Sequence, residues 1–249
     1  MDRPLRAHLV CGGRFHDFDH ARLQLLGLLA EDERIRTTVS GDYRDLEAIT
    51  RADFLITYTC DVRPSDDEQE ALHGWVTGGG RWFALHGTNS ALEFTPEGVA
   101  SPRVIPVLAR TLGSQFVAHP PIAPYRVEVS EPGHPLVAGI EPFETSDELY
   151  LSEFHCEVQT LLHTRFSGEA RGFVESSWPG DEPRPVMYLR PLGRGEVLYL
   201  TLGHCRGHFD MQPQVDYWPT VDRGSWEIDE YRTLLRRGID WMCRKETLR

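Results

Sequence analysis

The sequence predicts an α/β fold: a doubly wound, mainly parallel β-sheet with helices on both faces. Two observations indicate this class. Apolar segments of strand length alternate with segments of helical periodicity from residue 5 to residue 87, and such alternation favours one parallel sheet with right-handed crossovers. In addition, segments such as ADFLITYTCD are apolar without interruption, which is typical of strands buried on both faces.

The elements of this first part follow in chain order. Strands are expected over 5–13, 35–41, 52–61 and 81–87, because each is a short apolar or β-branched run. A helix over 19–35 has apolar residues at helical spacing, with Asp19 as its candidate N-cap. A second helix over 65–80 begins at the capping residue Ser65, has acids in its first turn and ends in a glycine run.

The pattern changes after about residue 112. The following segment, around 113–160, is rich in proline, and we expect a loop-rich excursion with one strand, at 125–129, inside a single domain of residues 1–249. Later strands are predicted at 158–166, 184–190 and 195–204. The last two flank the short turn PLGRG and should form a C-terminal β-hairpin. An amphipathic helix is predicted over 225–245.

Composition limits the class of partner. The 249 residues carry a formal net charge of −12, which argues against nucleic acid and against anionic membrane surfaces. Five scattered cysteines without a C-x-x-C pair indicate a reducing compartment, and no apolar run is as long as a signal-peptide core or a membrane span. We therefore expect a cytoplasmic protein that binds a small molecule, and the sequence is compatible with a homo-oligomer.

Histidines follow several of the predicted strands. Parallel sheets bind ligands beyond the carboxyl ends of their strands, and the residues expected along that rim are His16, His20, Asp61, His86, Asn89 and Glu93. His16, His86 and His204 are the strongest candidates, because each follows an apolar strand. A neutral imidazole suits general acid–base chemistry near pH 7 and also binds divalent metals.

Metal binding is one of two interpretations of these histidines. The segments HDFDH and HCRGH each place two histidines four residues apart, His16 with His20 and His204 with His208. This spacing puts both side chains on one face of a helix, but neither segment is predicted to be helical and neither contains the glutamate of the zinc proteases. We favour hydrogen bonds to loop backbone or to a polar substrate. The alternative is zinc or manganese held by His16, His86 and His204.

Acidic and aromatic residues complete the candidate site. Asp147 and Glu148 stand beside Leu149 and Tyr150, and a partly buried carboxylate there could act as an acid or a base. A role for Glu148 in capping or bridging loops fits equally well. Trp218 lies among further aromatic and acidic residues, a composition suited to stacking on a sugar face or to packing a long loop against the core.

Covalent catalysis is the weaker hypothesis. The chain has no G-x-S-x-G motif, and the turn after RWFAL carries His86 where a Ser or Cys nucleophile would stand. A Cys-dependent hydrolase would have to use Cys60, which lies outside any nucleophile elbow, or Cys205. In extended chain, Cys205 and the adjacent His204 point to opposite sides.

Several segments resemble the trehalose-utilization (ThuA-like) family over about residues 5–243. They are GGRFH, GGGRWFALHG, HPLVAGIEPFETSDELY, PVMYLRPLGRGEVLYLTLGH and YRTLLRRGIDWM. The resemblance implies a class I glutamine amidotransferase-like fold, which is flavodoxin-like. In true amidotransferases the turn that holds His86 carries a cysteine, followed later by a His and Glu pair. Here the cysteine is missing, and His204 is followed by CRGH without that glutamate, so the protein is not expected to be an amidotransferase.

The resemblance further implies sugar metabolism, in particular disaccharides and their 3-keto derivatives. The leading hypothesis is therefore an enzyme, a hydrolase, lyase or isomerase, acting on a disaccharide or keto-glycoside by His/Glu acid–base chemistry, with or without a divalent metal. The alternative is a non-catalytic sugar-binding or regulatory module on a scaffold that has lost its nucleophile. The expected catalytic residues are His16, His86, Glu148 and His204. The expected substrate-binding residues are Asn89, Asp147, Tyr150, His208 and Trp218.

Overall fold

A nine-stranded sheet forms the centre of the molecule. The computed structural model describes residues 3–244. In chain order the strands are β1 (Leu5–Gly13), β2 (Ile35–Ser40), β3 (Phe54–Cys60), β4 (Arg81–Leu85), β5 (Glu93–Thr95), β6 (Gly98–Ala100), β7 (Ser114–Ala118), β8 (Ala123–Val129), β9 (Phe143–Asp147), β10 (Leu151–Phe154), β11 (Gln159–Glu169), β12 (Ser177–Leu192) and β13 (Gly195–Leu200). The helices are α1 (Phe18–Leu29), α2 (Leu46–Arg51), α3 (Asp66–Thr77), α4 (Pro106–Leu112) and α5 (Asp229–Met242).

Five neighbouring strands of the sheet are parallel. They lie in the order β2-β1-β3-β4-β13, which is the 2-1-3-4-5 order of flavodoxin-like folds. The predicted fold class, a doubly wound and mainly parallel sheet, is confirmed. The carboxyl ends of these strands therefore meet along one edge of the sheet, where such folds bind their ligands.

The remaining strands extend the sheet in antiparallel fashion through β12, β11, β8 and β9. β12 pairs with β13 from Met187 opposite Leu200 to Leu192 opposite Gly195. Between residues 113 and 160 the sequence predicted one strand, whereas the structure has four: β7, β8, β9 and β10. The three that were not predicted are only four or five residues long, too short for a periodic pattern to stand out from the surrounding prolines and acids.

Local signals explain where the helices begin. Ser65 caps α3 in a capping box with Glu68, as predicted. The prediction of Asp19 as the cap of α1 is wrong, because the side chain of Asp17 accepts the hydrogen bond from the His20 amide. The helix predicted over 225–245 begins at Asp229, after a 3₁₀ turn, and the end of its predicted range, residue 245, lies outside the described residues.

Helices cover both faces of the sheet, so two apolar layers form. Adjacent residues of β4 point into opposite layers: Phe83 packs in the layer that contains α1 and α5, and Trp82 packs in the layer that contains α3 and α4. Both side chains are fully buried. Within residues 3–244, no helix combines the length and the apolar character needed to cross a lipid bilayer.

The closeness of α5 to β4 gives a stability prediction. Gly238 of α5 lies so near the ring of Phe83 that an added Cβ would overlap it. Gly238→Ala is expected to lower the free energy of unfolding by about 1–3 kcal/mol, as overpacking of a core does. Gly27→Ala, in α1 with open space around it, is the matched control and should raise stability by about 0.5–1 kcal/mol. Urea denaturation measures both, and an unchanged Gly238→Ala would contradict the packing of α5 on β4.

Candidate active site

Four predicted residues come together at the edge where the parallel strands end. His16 follows β1, His86 follows β4, Glu148 follows β9 and His204 follows β13. One side-chain nitrogen or oxygen atom from each lies within 4.8 Å of the corresponding atoms of the other three. All four residues are buried. We call these four residues the His/Glu cluster.

Glu148 is the centre of the cluster. Its Oε1 lies 3.1 Å from Nδ1 of His204, and its Oε2 lies 3.4 Å from Nε2 of His86 and 3.8 Å from Nε2 of His16. The two Nε2 atoms of His16 and His86 are 2.9 Å apart. The carboxylate thus contacts all three imidazoles at once.

The backbone at the strand ends is unusual. Phe15, Asp61 and His86 have positive φ angles of 74°, 55° and 45°, a region that costs a non-glycine residue about 1–3 kcal/mol and that recurs at functional sites. The imidazole of His86 is fixed by a hydrogen bond of 2.8 Å from Nδ1 to the carbonyl of Thr201. The backbone carbonyl of His86 accepts a hydrogen bond of 2.6 Å from the hydroxyl of Tyr199. The turn after β4 therefore presents His86 in one defined orientation.

Burial and charge set the protonation of the cluster. Burial lowers the pKa of His16 to about 3, and the nearby Glu148 offsets only part of that effect. Burial also opposes a charge on His204, but the neighbouring Glu148 and Asp222 outweigh it and raise the pKa of His204 to about 9. For Glu148 burial acts in the opposite sense, and the surrounding His204, His119 and His16 outweigh it and hold the pKa of this carboxyl well below its usual range. A carboxylate, a cationic imidazole and a neutral imidazole thus share one buried space.

Asp147 orders the chain around the cluster. Its carboxylate accepts hydrogen bonds from the backbone amides of Glu148 (2.7 Å), Gly203 (2.9 Å), His204 (3.1 Å) and Ser225 (2.9 Å), and from the hydroxyl of Ser225. Both oxygens are occupied by these donors, and Asp147 is not among the residues that line the neighbouring cavity. Asp147 therefore holds the backbone of Glu148 and His204 in position from outside the cavity lining.

A cavity of about 210 Å³ opens beside the cluster. His16 and Glu148 line it, whereas His86 and His204 do not. Its wall is largely apolar, formed by Phe15, Leu92, Phe94, Val99, Phe116, Phe173 and Met211. This volume is below the roughly 300–1,000 Å³ of pockets for drug-sized ligands, so the cavity suits one small ring.

The other predicted binding residues differ in their positions. Tyr150 lines the cavity, and its hydroxyl lies 3.3 Å from Nε2 of His86. Asn89 is buried away from the cavity lining and donates from Nδ2 to Ser114 Oγ. His208 donates to the carbonyl of Trp218 and stacks on Tyr217, which packs the loop internally.

Trp218 contacts the site through a second residue. The guanidinium of Arg206 lies 5.0 Å from its ring, a cation–π contact, and Nη2 of Arg206 is 3.4 Å from Oε1 of Glu148.

Of the remaining residues expected along the rim, His20 packs edge-on against Trp226 and Glu93 is exposed. Asp61 forms ion pairs with arginines. None of these three belongs to the His/Glu cluster.

Sequence reasoning missed three ionisable neighbours of the cluster. His119 Nε2 lies 3.5 Å from Glu148 Oε1, and Arg206 contacts the same oxygen. Asp222 Oδ2 lies 3.9 Å from His204 Nε2. His119 directly follows β7, so the strand-end rule could have found it had β7 been predicted. Arg206 and Asp222 lie in the long segment between β13 and α5 and have no local signal.

Comparison with known proteins shows which family the chain is similar to. The family model ThuA, described as trehalose utilisation, matches residues 9–217. A ThuA-like protein from Bacteroides uniformis has a similar structure, with a TM-score of 0.66 at 16% identity over 99% of this chain and 94% of that chain. A ThuA-like protein from Parabacteroides merdae gives 0.64 at 13% identity over 99% and 92% of the two chains. No curated protein matches the sequence.

At these identities the two structures show a shared fold. Membership of the family is shown by the match to the family model. The matched residues span most of the chain and include His16, His86, Glu148 and His204. The chain therefore belongs to the ThuA family.

Proposed function

We propose that the protein is an enzyme of carbohydrate metabolism that converts a disaccharide or a keto-glycoside at the His/Glu cluster. One observation carries the proposal: four buried titratable side chains converge from four separate strand ends beside a cavity of ring size. Burying such groups without a function would cost stability. The family's description, trehalose utilisation, supports a sugar as the substrate.

Acid–base chemistry at a keto sugar needs the groups that the cluster holds. A base must take the acidified proton from the carbon next to the carbonyl, and an acid must protonate an oxygen. Glu148 and His16 line the cavity, and each has further imidazoles within hydrogen-bonding range for passing a proton on. A hydrolase, a lyase and an isomerase of keto-glycosides can all use this pair of steps.

The cavity wall fits a sugar ring. Aromatic faces such as those of Phe116 and Phe173 pack against the C–H face of a pyranose, while the polar end of the cavity carries Glu148, His119 and Arg206. A volume of about 210 Å³ accepts one ring at a time. For a disaccharide we therefore propose that the second ring lies outside the cavity.

Thiol chemistry is disfavoured on physical grounds. Cys60 lines the cavity, but burial raises the pKa of its thiol well above the usual range, with Glu148 adding to the effect. Burial likewise raises the pKa of Cys205 to about 12, and its sulfur contacts the hydroxyl of Tyr58. Since the thiolate is the nucleophile, neither residue is poised for covalent catalysis.

The test is product analysis on a panel of disaccharides, glycosides and their 3-keto derivatives, by NMR and mass spectrometry. The wild-type protein is expected to convert at least one member, and His204→Ala should lower that rate at least about 100-fold. His163→Ala is the matched control, because His163 bonds Ser130 and belongs neither to the cluster nor to the cavity lining. Turnover that survives in His204→Ala would contradict the proposal. Calorimetric binding of a panel member without any product would favour the sugar-binding module instead.

A further inference from the structure

We infer that the His/Glu cluster is a binding site for a divalent first-row transition-metal ion, held by His16, His86, Glu148 and His204. The inference deepens the proposed function, because it concerns the same four residues. The hydrogen-bond geometry of the cluster and the spacing of its atoms support it.

Two imidazoles of the cluster have their ring hydrogens fixed by carbonyl acceptors. Nδ1 of His86 faces the carbonyl of Thr201 at 2.8 Å, and Nδ1 of His16 faces the carbonyl of Arg14 at 3.3 Å. A carbonyl oxygen only accepts, so both Nδ1 atoms carry the hydrogen. In the neutral rings each Nε2 atom then carries a lone pair, and the two Nε2 atoms face each other at 2.9 Å.

Two facing lone pairs beside a carboxylate need a positive charge between them. The hydroxyl of Tyr150, 3.3 Å from His86 Nε2, can donate one hydrogen bond to that ring. Nε2 of His16 still faces a lone pair of His86 and, at 3.8 Å, the Glu148 carboxylate. An ion bound at this point satisfies all three groups at once. Metal-bound histidines characteristically donate their other ring nitrogen to a backbone carbonyl, as His16 and His86 do.

His204 supplies an independent observation. Its side chain is 1% exposed, yet among the described residues neither ring nitrogen has a hydrogen-bond partner. Nδ1 lies 3.1 Å from Glu148 Oε1, but the pair is not aligned as a hydrogen bond. Unpaired polar atoms are rare in buried positions and call for an explanation. A ring nitrogen aimed at the cluster is accounted for if it binds an ion, which would displace the proton that His204 carries in the ion-free site.

The spacing of the four groups fits a metal of ordinary bond length. Tetrahedral sites with ligand bonds of about 2.0–2.1 Å hold neighbouring ligand atoms roughly 3.3 Å apart. Four contacts of the cluster, made through both oxygens of Glu148, span 2.9, 3.1, 3.4 and 3.8 Å, and one donor atom from each of the four residues lies within 4.8 Å of the others. Three imidazoles and one carboxylate suit zinc, manganese and their neighbours rather than calcium or magnesium. When bound, such an ion would act as a Lewis acid toward a carbonyl oxygen.

The test uses the full chain without a polyhistidine tag, stripped with a chelator and dialysed. Zinc chloride and manganese chloride are titrated separately by calorimetry, and cobalt(II) absorption reports the coordination. The ligand variants are His86→Ala and Glu148→Gln. The controls are His20→Ala and His208→Ala, because each removes a histidine four residues after a proposed ligand and outside the cluster. Circular dichroism checks the fold of every variant.

We expect the wild-type protein to bind about one equivalent of zinc or manganese. Each ligand variant should weaken binding by at least about 100-fold, since even outer partners of a metal ligand contribute about 10–100-fold. The controls should bind like wild type. Absence of binding to the stripped wild-type protein, or equal binding by folded ligand variants, overturns the inference. Because the readout is metal binding, the two proposals can fail separately. Turnover by a protein that binds no metal would support the proposed function and overturn the metal site. Metal binding without turnover would support the metal site and contradict the proposed function.

Discussion

Glu148→Gln is expected to lower kcat/KM by about 10²–10⁴, the usual contribution of a positioned acid or base. The carboxylate lies within 4 Å of side-chain nitrogens of His16, His86, His119, His204 and Arg206. Glutamine keeps the shape of the side chain and removes its charge. It also turns one acceptor into a donor that faces these nitrogens. Of the four cluster residues, Glu148 has the most partners to lose.

Steady-state kinetics on the substrate found in the panel measures this effect. Glu153→Gln is the matched control, because that glutamate lies five residues further along and pairs with Arg103 at the surface. It should keep wild-type turnover. Circular dichroism separates lost chemistry from lost fold. Equal kcat/KM for Glu148→Gln and Glu153→Gln would remove Glu148 from the catalytic centre.

Asp147→Ala is expected to lower the free energy of unfolding by at least about 4 kcal/mol. The substitution leaves four buried backbone amides, those of Glu148, Gly203, His204 and Ser225, without their acceptor. Each unsatisfied buried group costs about 1–3 kcal/mol, and a whole domain is stable by only about 5–15 kcal/mol. The chain segments after β9 and β13 would then lose their common anchor.

Urea denaturation followed by tryptophan fluorescence gives the measurement. Asp147→Asn retains one acceptor oxygen and should fall between wild type and Asp147→Ala. Asp240→Ala, at an exposed position of α5, is the control and should change stability by no more than about 0.5 kcal/mol. A denaturation midpoint for Asp147→Ala close to that of Asp240→Ala would show that the carboxylate does not anchor these segments.

The parallel half of the fold could be predicted because its signals are local. β3 is buried along its whole length, and uninterrupted apolar residues indicate that environment directly. The carboxyl ends of such strands meet at one edge, so His16 and His86 could be assigned to one site from the chain alone. The antiparallel extension could not, because β7, β9 and β10 are short and owe their strand conformation to partners distant in sequence.

The roles of individual residues were harder to predict than their presence near the site. Asp147 and Glu148 are adjacent acids with similar sequence surroundings. Asp147 accepts hydrogen bonds from backbone amides of two other segments, whereas Glu148 is contacted by imidazoles. That division depends on which chain segments face each carboxylate, which is tertiary information. For the same reason Arg206 gave no signal, although it contacts Glu148.

At His86 the positive φ angle lowers the stability of the fold, while the side chain at the same position belongs to the His/Glu cluster. Glycine adopts this backbone region without cost, so His86→Gly would relax the turn after β4 and remove the imidazole together. Phe15 and Asp61 present the same choice at the ends of β1 and β3. Relieving this backbone strain with glycine would therefore remove side chains from the candidate site first. Engineering of a more robust form of this protein is safer at distant helix positions such as Gly27.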